Sequence, residues 1–488
     1  MQRGVKEILI PIRQQDITIE KIMPYLPYVL DEFKKNAANI RANYDFYCLD
    51  HDIWNKVRPH DDESEINNKI LEPHISSMID WKAGYVLGNP LKYSQSETKQ
   101  TDDIKYLNKY IRDSNKRTID SEVATWAYAT GVGYYFIEPK RQAVNTEYQS
   151  PFEIYMREAD SCCKIKSAYN GKKPLFDILF TTITEIDKNN IKRNYDIIDI
   201  YLPNNFYEYK ADSSNKYTLI REEPRLIYTA LPLVEKKLHN GIGLVEKLRP
   251  IQNALDLISS GNLDNLQEIV NVIYKYKGIE MGETDKERAD FHRMVKKGGA
   301  IQIPPNQNGT EYDLDILQTQ ALKFDDVESF RNQLKRTAYE TAGVPLSTSD
   351  TNSGGTTKSG SEVANGYDNA YNRALLDIND FISADYELLE KMLFICKQTP
   401  QNKIDELETS DLEIKYCLNL SDNILTKAQA LSYFIDRGMP KGMALEKAKL
   451  SSDSEAEGKL WEEYFKENNL STENKTVKST QTAETPLA

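Results

Sequence analysis

Residues 341–362 read TAGVPLSTSDTNSGGTTKSGSE, a long run of Ser, Thr, Gly, Asp and Asn held between two helical patterns. Loops beyond about 12 to 15 residues inside a compact chain are functional or disordered, so this one is expected to do something. Upstream, residues 324–342 carry Val327, Phe330, Leu334, Ala338 and Ala342 at spacings of three and four, which puts one apolar stripe on a helix. Asp325 and Asp326 stand where a helix start favours acids, and Gly343 with Pro345 stops the helix. Downstream, residues 361–397 place Val363, Ala370, Ala374, Ile378, Ile382, Leu388, Leu389, Met392 and Ile395 on a second pattern. At about 1.5 Å per residue it spans roughly 55 Å. The loop therefore joins two rigid levers.

A lysine and a serine in a glycine-rich run invite comparison with the phosphate loop G-x-x-x-x-G-K-[ST]. The residue before Lys358 is Thr357, and the first required glycine falls on Asn352. No apolar strand precedes the run, so a mobile polar loop is expected here and not a nucleotide site.

At 488 residues the chain is long enough for more than one structural unit. Its net charge of -13 marks an acidic, soluble protein, folded except at its end. No apolar run approaches the 18 or more residues that cross a membrane, and residues 1–11 lack the apolar core of a signal peptide. A cytosolic chain, or one in a cytosol-derived particle, is the expectation. Cys48, Cys162, Cys163, Cys396 and Cys417 form no C-x-x-C pair and the five histidines are scattered, so neither structural zinc nor a disulfide framework is expected. No cofactor and no metal is expected.

Residues up to about 62 read as mixed helix and loop, helical over 17–35. In the next helix Pro73 suits the first turn, Ile75, Met78, Ile79, Ala83 and Val86 line one face, and Gly88 with Pro90 ends it. His74 and Trp81 on it read as packed or interfacial residues. Residues 104–130 form another helical region, closed by Gly131 and Gly133 before the aromatic strand Tyr134, Tyr135, Phe136, Ile137. Helix, then glycines, then strand is the reverse of the dinucleotide fingerprint. Residues 151–234 are dominated by Ile-, Tyr-, Phe- and Thr-rich runs, a sheet module of consecutive antiparallel hairpins.

After Gly243 the spacing of Leu244, Leu248, Ile251, Leu255 and Ile258 makes a helical seam. Pro250 should kink it and Gly261 interrupt it, before Leu263, Leu266, Ile269, Val270 and Ile273 carry the helix on to Tyr276. The seam is either a core stripe or a subunit interface. Residues 278–321 form a small insert expected to hold a helix and two strands and to project from the far end of the two long helices. Residues 411–420 read as a strand, 425–449 as helices around Gly438 and Pro440, and 455–469 as a last acidic helix. The tail from Ser471 cannot bury enough surface to fold.

This order resembles the portal protein family of tailed double-stranded DNA bacteriophages, in its long-tailed-phage branch. The match rests on Tyr85, Val86, Leu87, Gly88, Asn89 and Pro90 as a Tyr-x-x-Gly-x-Pro helix end, and on the alanine-rich helix running into Gly-x-Gly-Tyr at 124–134. Val344 and Pro345 before a loop that carries Ser359 and Gly360, and the final helical segment 422–467, complete it. The resemblance covers about 17–469 in order. It implies an α+β, predominantly helical fold with wing, stem, clip and crown, assembled as a ring, usually of twelve subunits, around a central channel. By correspondence, 1–242 is wing, 243–277 wing and stem helix, 278–321 clip, 322–345 stem helix, 346–360 tunnel loop, 361–410 long wing helix and 411–470 wing strand and crown, with 471–488 a disordered tail.

Such a ring sits at one capsid vertex of the virion, assembled in the host cytoplasm. It passes double-stranded DNA non-specifically in packaging and ejection and docks the terminase and the head-tail connector proteins, beside major capsid and scaffolding proteins. The resemblance assigns the channel to Ser347, Thr348, Ser349, Asp350, Asn352, Ser353, Gly354, Gly355, Thr356, Thr357, Lys358 and Ser359, and partner docking in the clip to Lys296, Lys297, Asp313 and Asp315. A conduit must let DNA slide, and a hydroxyl-rich loop with Asp350 and Lys358 as its charges suits that, because many phosphate contacts would hold DNA fast. The acidic charge fits a conduit and fits plain solubility equally well.

Two other classes compete. Asp61 with Asp62, Asp102 with Asp103 and Asp325 with Asp326 are acid pairs of the kind a metal-dependent nuclease or hydrolase uses, but adjacent residues point to different sides of an element, so a two-metal site needs further acids. A non-viral oligomeric scaffold is the second. No catalytic residue is assigned.

Overall fold

The computed structural model describes residues 4–57, 66–95, 102–140, 149–225, 228, 230–270, 273–277, 284–289, 313–317, 324–346, 360–400, 403–419, 424–448, 450, 458, 460, 461 and 463, apart from 170, 187–189, 191 and 212–216. The chain opens with strand β1 (Ile8–Ile10), the short helix α1 (Ile19–Ile22) and α2 (Leu26–Tyr47). Then come α3 (His74–Leu87), β2 (Lys92–Gln95), α4 (Asp103–Asp113) and α5 (Lys116–Thr130). The strand region holds β3 (Val132–Pro139), β4 (Phe152–Arg157), β5 (Cys162–Ser167), β6 (Pro174–Ile186), β7 (Lys192–Tyr201), β8 (Asn205–Ala211), β9 (Tyr217–Pro224) and β10 (Leu233–Lys237). After it run α6 (Leu244–Val270), β11 (Ile273–Lys277), β12 (Asp313–Leu317), α7 (Phe324–Ala342) and α8 (Gly360–Gln398). β13 (Leu412–Lys415), α9 (Ile424–Asp436) and α10 (Lys441–Lys447) follow. The fold is α+β with helix predominant.

Two compact units divide these elements. The first comprises Met1–Gly4, Ala38–Ile79 and Ile242–Arg373, the second Val5–Ala37, Asp80–Gly241 and Ala374–Ala488.

In the second unit a six-stranded sheet has the order β1-β5-β6-β7-β8-β9. Its five consecutive strands from β5 to β9 pair antiparallel, as the turn-separated runs predict. β1 is the difference: it pairs parallel with β5, Ile8 opposite Ile165 and Ile10 opposite Ser167, in a region read as helix and loop. Three residues are too short for period-2 alternation to register. α1 and α2 cover this sheet, burying Ile22, Leu26, Val29, Leu30 and Phe33 against Ile165, Phe176, Ile178, Ile198 and Ile200.

A second sheet runs β10-β3-β4, and α5 packs on it. Gly131 at φ +98° ends α5, and a Cβ on Gly133 would stand 2.3 Å from the carbonyl oxygen of Val123. The helix approaches its own strand that closely, which is why Gly-Val-Gly separates them. The helical region predicted over 104–130 is two helices, broken where Asn115 takes a left-handed φ of +53°. β10 is tied to α8 by the fully buried pair Lys236 and Asp385, Nζ to Oδ1 at 3.0 Å, and by Lys391, whose Nζ donates to the carbonyl oxygen of Leu233 at 2.7 Å. Burial pushes the Cys162 and Cys163 thiols well above their usual range, so these neighbours are packing residues and not a redox pair.

In the first unit α6 and α7 pack together and β11 pairs antiparallel with β12. Two expectations about this helix fail. α6 runs through Gly261 without interruption, and it ends at Val270, after which Ile273–Lys277 is strand and not helix. Pro250 costs one hydrogen bond, to residue 246, and a Cβ on Gly261 would meet nothing within 4 Å. Burial of Leu244, Val245, Leu248 and Leu255 holds the helix on both sides of Pro250, and buried Ser260 and Asp264 flank Gly261.

Candidate functional site

The candidate site is the α6–α7 pair with residues 343–346, which leave α7. Its anchor is well defined. Gly343 takes φ +71°, the Val344 N–H donates to the Tyr339 carbonyl oxygen at 3.0 Å, and the Gly343 N–H donates to that of Glu340 at 3.2 Å. This left-handed closure satisfies carbonyls that a helix end leaves unpaired. A Cβ on Gly343 would stand 2.7 Å from Cγ of Arg373, so α7 is ended where α8 comes close.

The predicted stripe on α7 is buried only toward this end. Ala338 and Ala342 are buried, whereas Phe330 is 54% exposed. On α6 Leu257 and Leu266 are likewise 54% and 47% exposed. The predicted seam of α6 is buried at Leu244, Leu248 and Leu255 and comes to the surface at Leu266, and a polar stripe is buried beside it.

Gln252, Asp256, Ser260 and Asp264 recur every four residues on α6 and all four are buried. An extended segment, 68–72, lies antiparallel along them. The backbone N–H groups of Asn68, Ile70 and Glu72 donate to Asp264 Oδ1 at 2.7 Å, Ser260 Oγ at 2.9 Å and Asp256 Oδ1 at 3.0 Å. The register follows from geometry. Four helical residues rise about 6 Å and two extended residues about 6.6 Å, so every second N–H meets every fourth helical side chain.

Charges finish the ladder. Lys56 Nζ reaches Asp264 Oδ2 at 2.7 Å, and His51 Nδ1 lies 2.6 Å from Asp256 Oδ2 with its ring stacked on Phe46 at 4.0 Å. Glu72 is the hub. It accepts from Arg331 of α7 through both carboxylate oxygens, at 3.0 and 2.8 Å, from Ser259 of α6, and pairs with His74 Nε2 at 2.7 Å. Burial by itself pushes the Glu72 carboxyl up, but the hydrogen bonds from His74, Arg331 and Ser259 outweigh it and hold its pKa at about 2. His74 is thus a packed residue in an ion network, as expected. Trp81 stacks on Tyr85 with ring centroids 4.6 Å apart.

Of the assigned site residues, those at 347–359, with Lys296 and Lys297, lie outside the described residues. Asp313 and Asp315 stand on β12, in register with Lys277 and Lys275 of β11. Residues 285–289 between them are helical, so the described insert is strand, helical turn, strand. Of the acid pairs, Asp61 and Asp62 lie outside the described residues. Asp102 is exposed and pairs with Lys105 at 2.7 Å, while Asp103 accepts the backbone N–H groups of Asp405 and Glu406, both at 3.1 Å. Among the described residues no group of three His, Cys, Asp or Glu is placed to hold a metal, and no helix is long and apolar enough to cross a membrane.

The family model described as phage portal protein, SPP1 Gp6-like, matches residues 26–469. The chain belongs to the phage portal protein family. No curated protein matches it. Solved structures similar to this portal chain include one from the virion of a native gene transfer agent particle, with TM-score 0.41 and 10% identity over 75% of this chain and 85% of that one. Another is from the neck of an empty gene transfer agent particle computed with C6 symmetry, with TM-score 0.41 and 11% identity over 75% and 89%.

The sequence did carry a signal for the α6 ladder. Four polar residues at i, i+4, i+8 and i+12 on a long helix mark one stripe, although the apolar spacing of the leucines alone does not single it out.

Proposed function

We propose that this portal chain forms the ring-shaped channel at one capsid vertex, through which double-stranded DNA enters in packaging and leaves in ejection. The observation that carries the reading is the family match across 26–469. Copies associate through apolar surface that one chain leaves uncovered, of which Leu257, Leu266 and Phe330 are part. Twelve subunits make the ring.

In this reading α6 and α7 supply the stem and 278–321 the clip, with Lys296, Lys297, Asp313 and Asp315 presented first to the terminase and later to the head-tail connector proteins. The wing is formed by 1–242 and by 361–410, and the crown by the C-terminal helices. Residues 346–360 face the channel, where hydroxyls offer phosphates hydrogen bonds too weak to trap them. The Glu72 hub supports this role, because an ion network that joins α6 to α7 keeps a load-carrying pair from shearing when DNA is driven past it. The chain is structural and no reaction is assigned to it.

Electron microscopy of the purified protein tests the proposal, with native mass spectrometry for the copy number. Rings with a central hole and about twelve subunits are expected. A monomer with magnesium-dependent nuclease activity would overturn the portal reading, and an open-ended polymer would favour a scaffold.

A further inference from the structure

In the second unit a cleft of about 460 Å³ opens between the edge of the six-stranded sheet and the β10-β3-β4 sheet, walled by Phe136, Tyr201, Phe206 and Tyr228. Arg225 stands inside it. Its backbone N–H donates to the Asn204 carbonyl oxygen at 2.7 Å and its Nη1 to that of Leu202 at 2.9 Å, which fixes the guanidinium in place. The guanidinium lies 5.6 Å from the Tyr201 ring centre and 5.1 Å from that of Tyr228, and it makes no ion pair among the described residues. A guanidinium has five N–H donors, so most of the fork is unspent.

Tyr228 lines the same cleft, is only 4% exposed, and its hydroxyl has no hydrogen-bond partner among the described residues. A buried hydroxyl left unpaired costs about 1–3 kcal/mol, and native structures seldom leave one without a reason. An unspent guanidinium and an orphan hydroxyl between aromatic walls call for one ligand group, an oxygen anion carried on an apolar stem.

The rim selects among anions. Glu138 and Glu223 both border the cleft, and Glu223 is held by Arg221, Nε to Oε1 at 2.6 Å. Lys140 on the rim is likewise engaged, by Asp113 at 3.5 Å. Two carboxylates at the mouth repel a polyanion such as a nucleic-acid backbone, yet they do not exclude a single carboxylate whose neighbours are apolar. Three prolines, Pro139, Pro224 and Pro232, add apolar lining without backbone N–H groups.

We propose that this cleft is a docking site for a partner polypeptide, and that it takes an acidic side chain of that partner, with the adjacent apolar side chain packed on Phe136 and Phe206. The assignment is independent of the channel reading and stands or falls without it.

The test uses the full chain and three blocked tetrapeptides that place Phe beside Asp, Asn or phosphoserine, followed by ligand-observed NMR and calorimetry. The aspartate peptide is expected to bind saturably and the asparagine peptide at least about tenfold more weakly, since the lost contact is charge-assisted. Arg225→Gln should erase that difference, and Tyr228→Phe should weaken the aspartate peptide severalfold. Because the Tyr228 hydroxyl bonds to none of the described residues, Tyr228→Phe keeps the test valid if Arg225→Gln unfolds. Equal binding of the aspartate and asparagine peptides, binding unchanged in both variants, or no saturable binding at millimolar peptide overturns the proposal. Tighter binding of the phosphoserine peptide overturns the carboxylate assignment.

Discussion

Arg331 of α7 grips Glu72 with two hydrogen bonds, Nε to Oε1 at 3.0 Å and Nη2 to Oε2 at 2.8 Å. Glu72 in turn accepts from Ser259 of α6, so a single carboxylate joins three segments that lie far apart in the sequence. Arg331→Ala is expected to lower stability by about 1–3 kcal/mol, less than a fully buried pair because the arginine keeps some solvent. In a double-mutant cycle with Glu72→Ala, followed by urea denaturation, the double variant should lose clearly less than the sum of the singles. Additive losses would mean that the pair does not couple α7 to the segment.

The same carboxylate gives a pH dependence. Its pKa is about 2 in the folded chain, against about 4.3 in an unfolded one. Between those values the unfolded state binds more protons, so stability rises with pH. The contribution is complete above about pH 5 and is lost as pH falls through 4 toward 2. Glu72→Gln should therefore be less stable than wild type at pH 7, with the gap roughly halved near pH 3 and closed only below about pH 2. A gap in melting temperature that stays constant over that range would refute the assignment.

Gly343→Ala combines a left-handed φ with a close approach to Arg373. It is expected to cost about 1–2 kcal/mol from the backbone conformation, with a further part from displacing the arginine. Gly261→Ala is the control. With nothing near its Cβ and a helical backbone, it should stabilise by up to about 1 kcal/mol in the same thermal melts.

Leu257, Leu266 and Phe330 expose apolar surface on α6 and α7. Replacing all three with glutamine should leave the circular dichroism of the subunit unchanged and shift sedimentation from ring to monomer. Rings of wild-type stability would move the interface elsewhere.

For the polar run 347–359, Gly354 and Gly355 replaced by Val, or Lys358→Glu, should leave assembly intact, since a stretch so poor in apolar side chains has little core burial to lose. Packaged DNA per assembled capsid should fall. Wild-type length and yield with both glycines replaced would reduce the loop to a connector between α7 and α8.

The helices and most strands were legible because each follows a local rule. Apolar residues at three and four drew α3, α7 and α8; Gly131 and Gly133 marked the turn into β3; turn residues cut the sheet module into hairpins. The errors are equally physical. β1 is three residues long and exists because β5 offers it a parallel edge, and Ile273–Lys277 is strand because β12 pairs with it. Neither partner is visible in the local pattern.

The buried polar ladder separates most clearly what sequence and tertiary structure each decide. Sequence by itself determined that Gln252, Asp256, Ser260 and Asp264 share one stripe of α6, because 3.6 residues per turn brings every fourth side chain to nearly the same face. Read locally, a polar stripe is a solvated one. Only the tertiary structure turned it inward, by laying the N–H groups of Asn68, Ile70 and Glu72 along it from about two hundred positions away in the chain. Burial of a polar group is favourable only where a partner of the right spacing arrives, and that arrival is a property of the folded chain, not of any window of its residues.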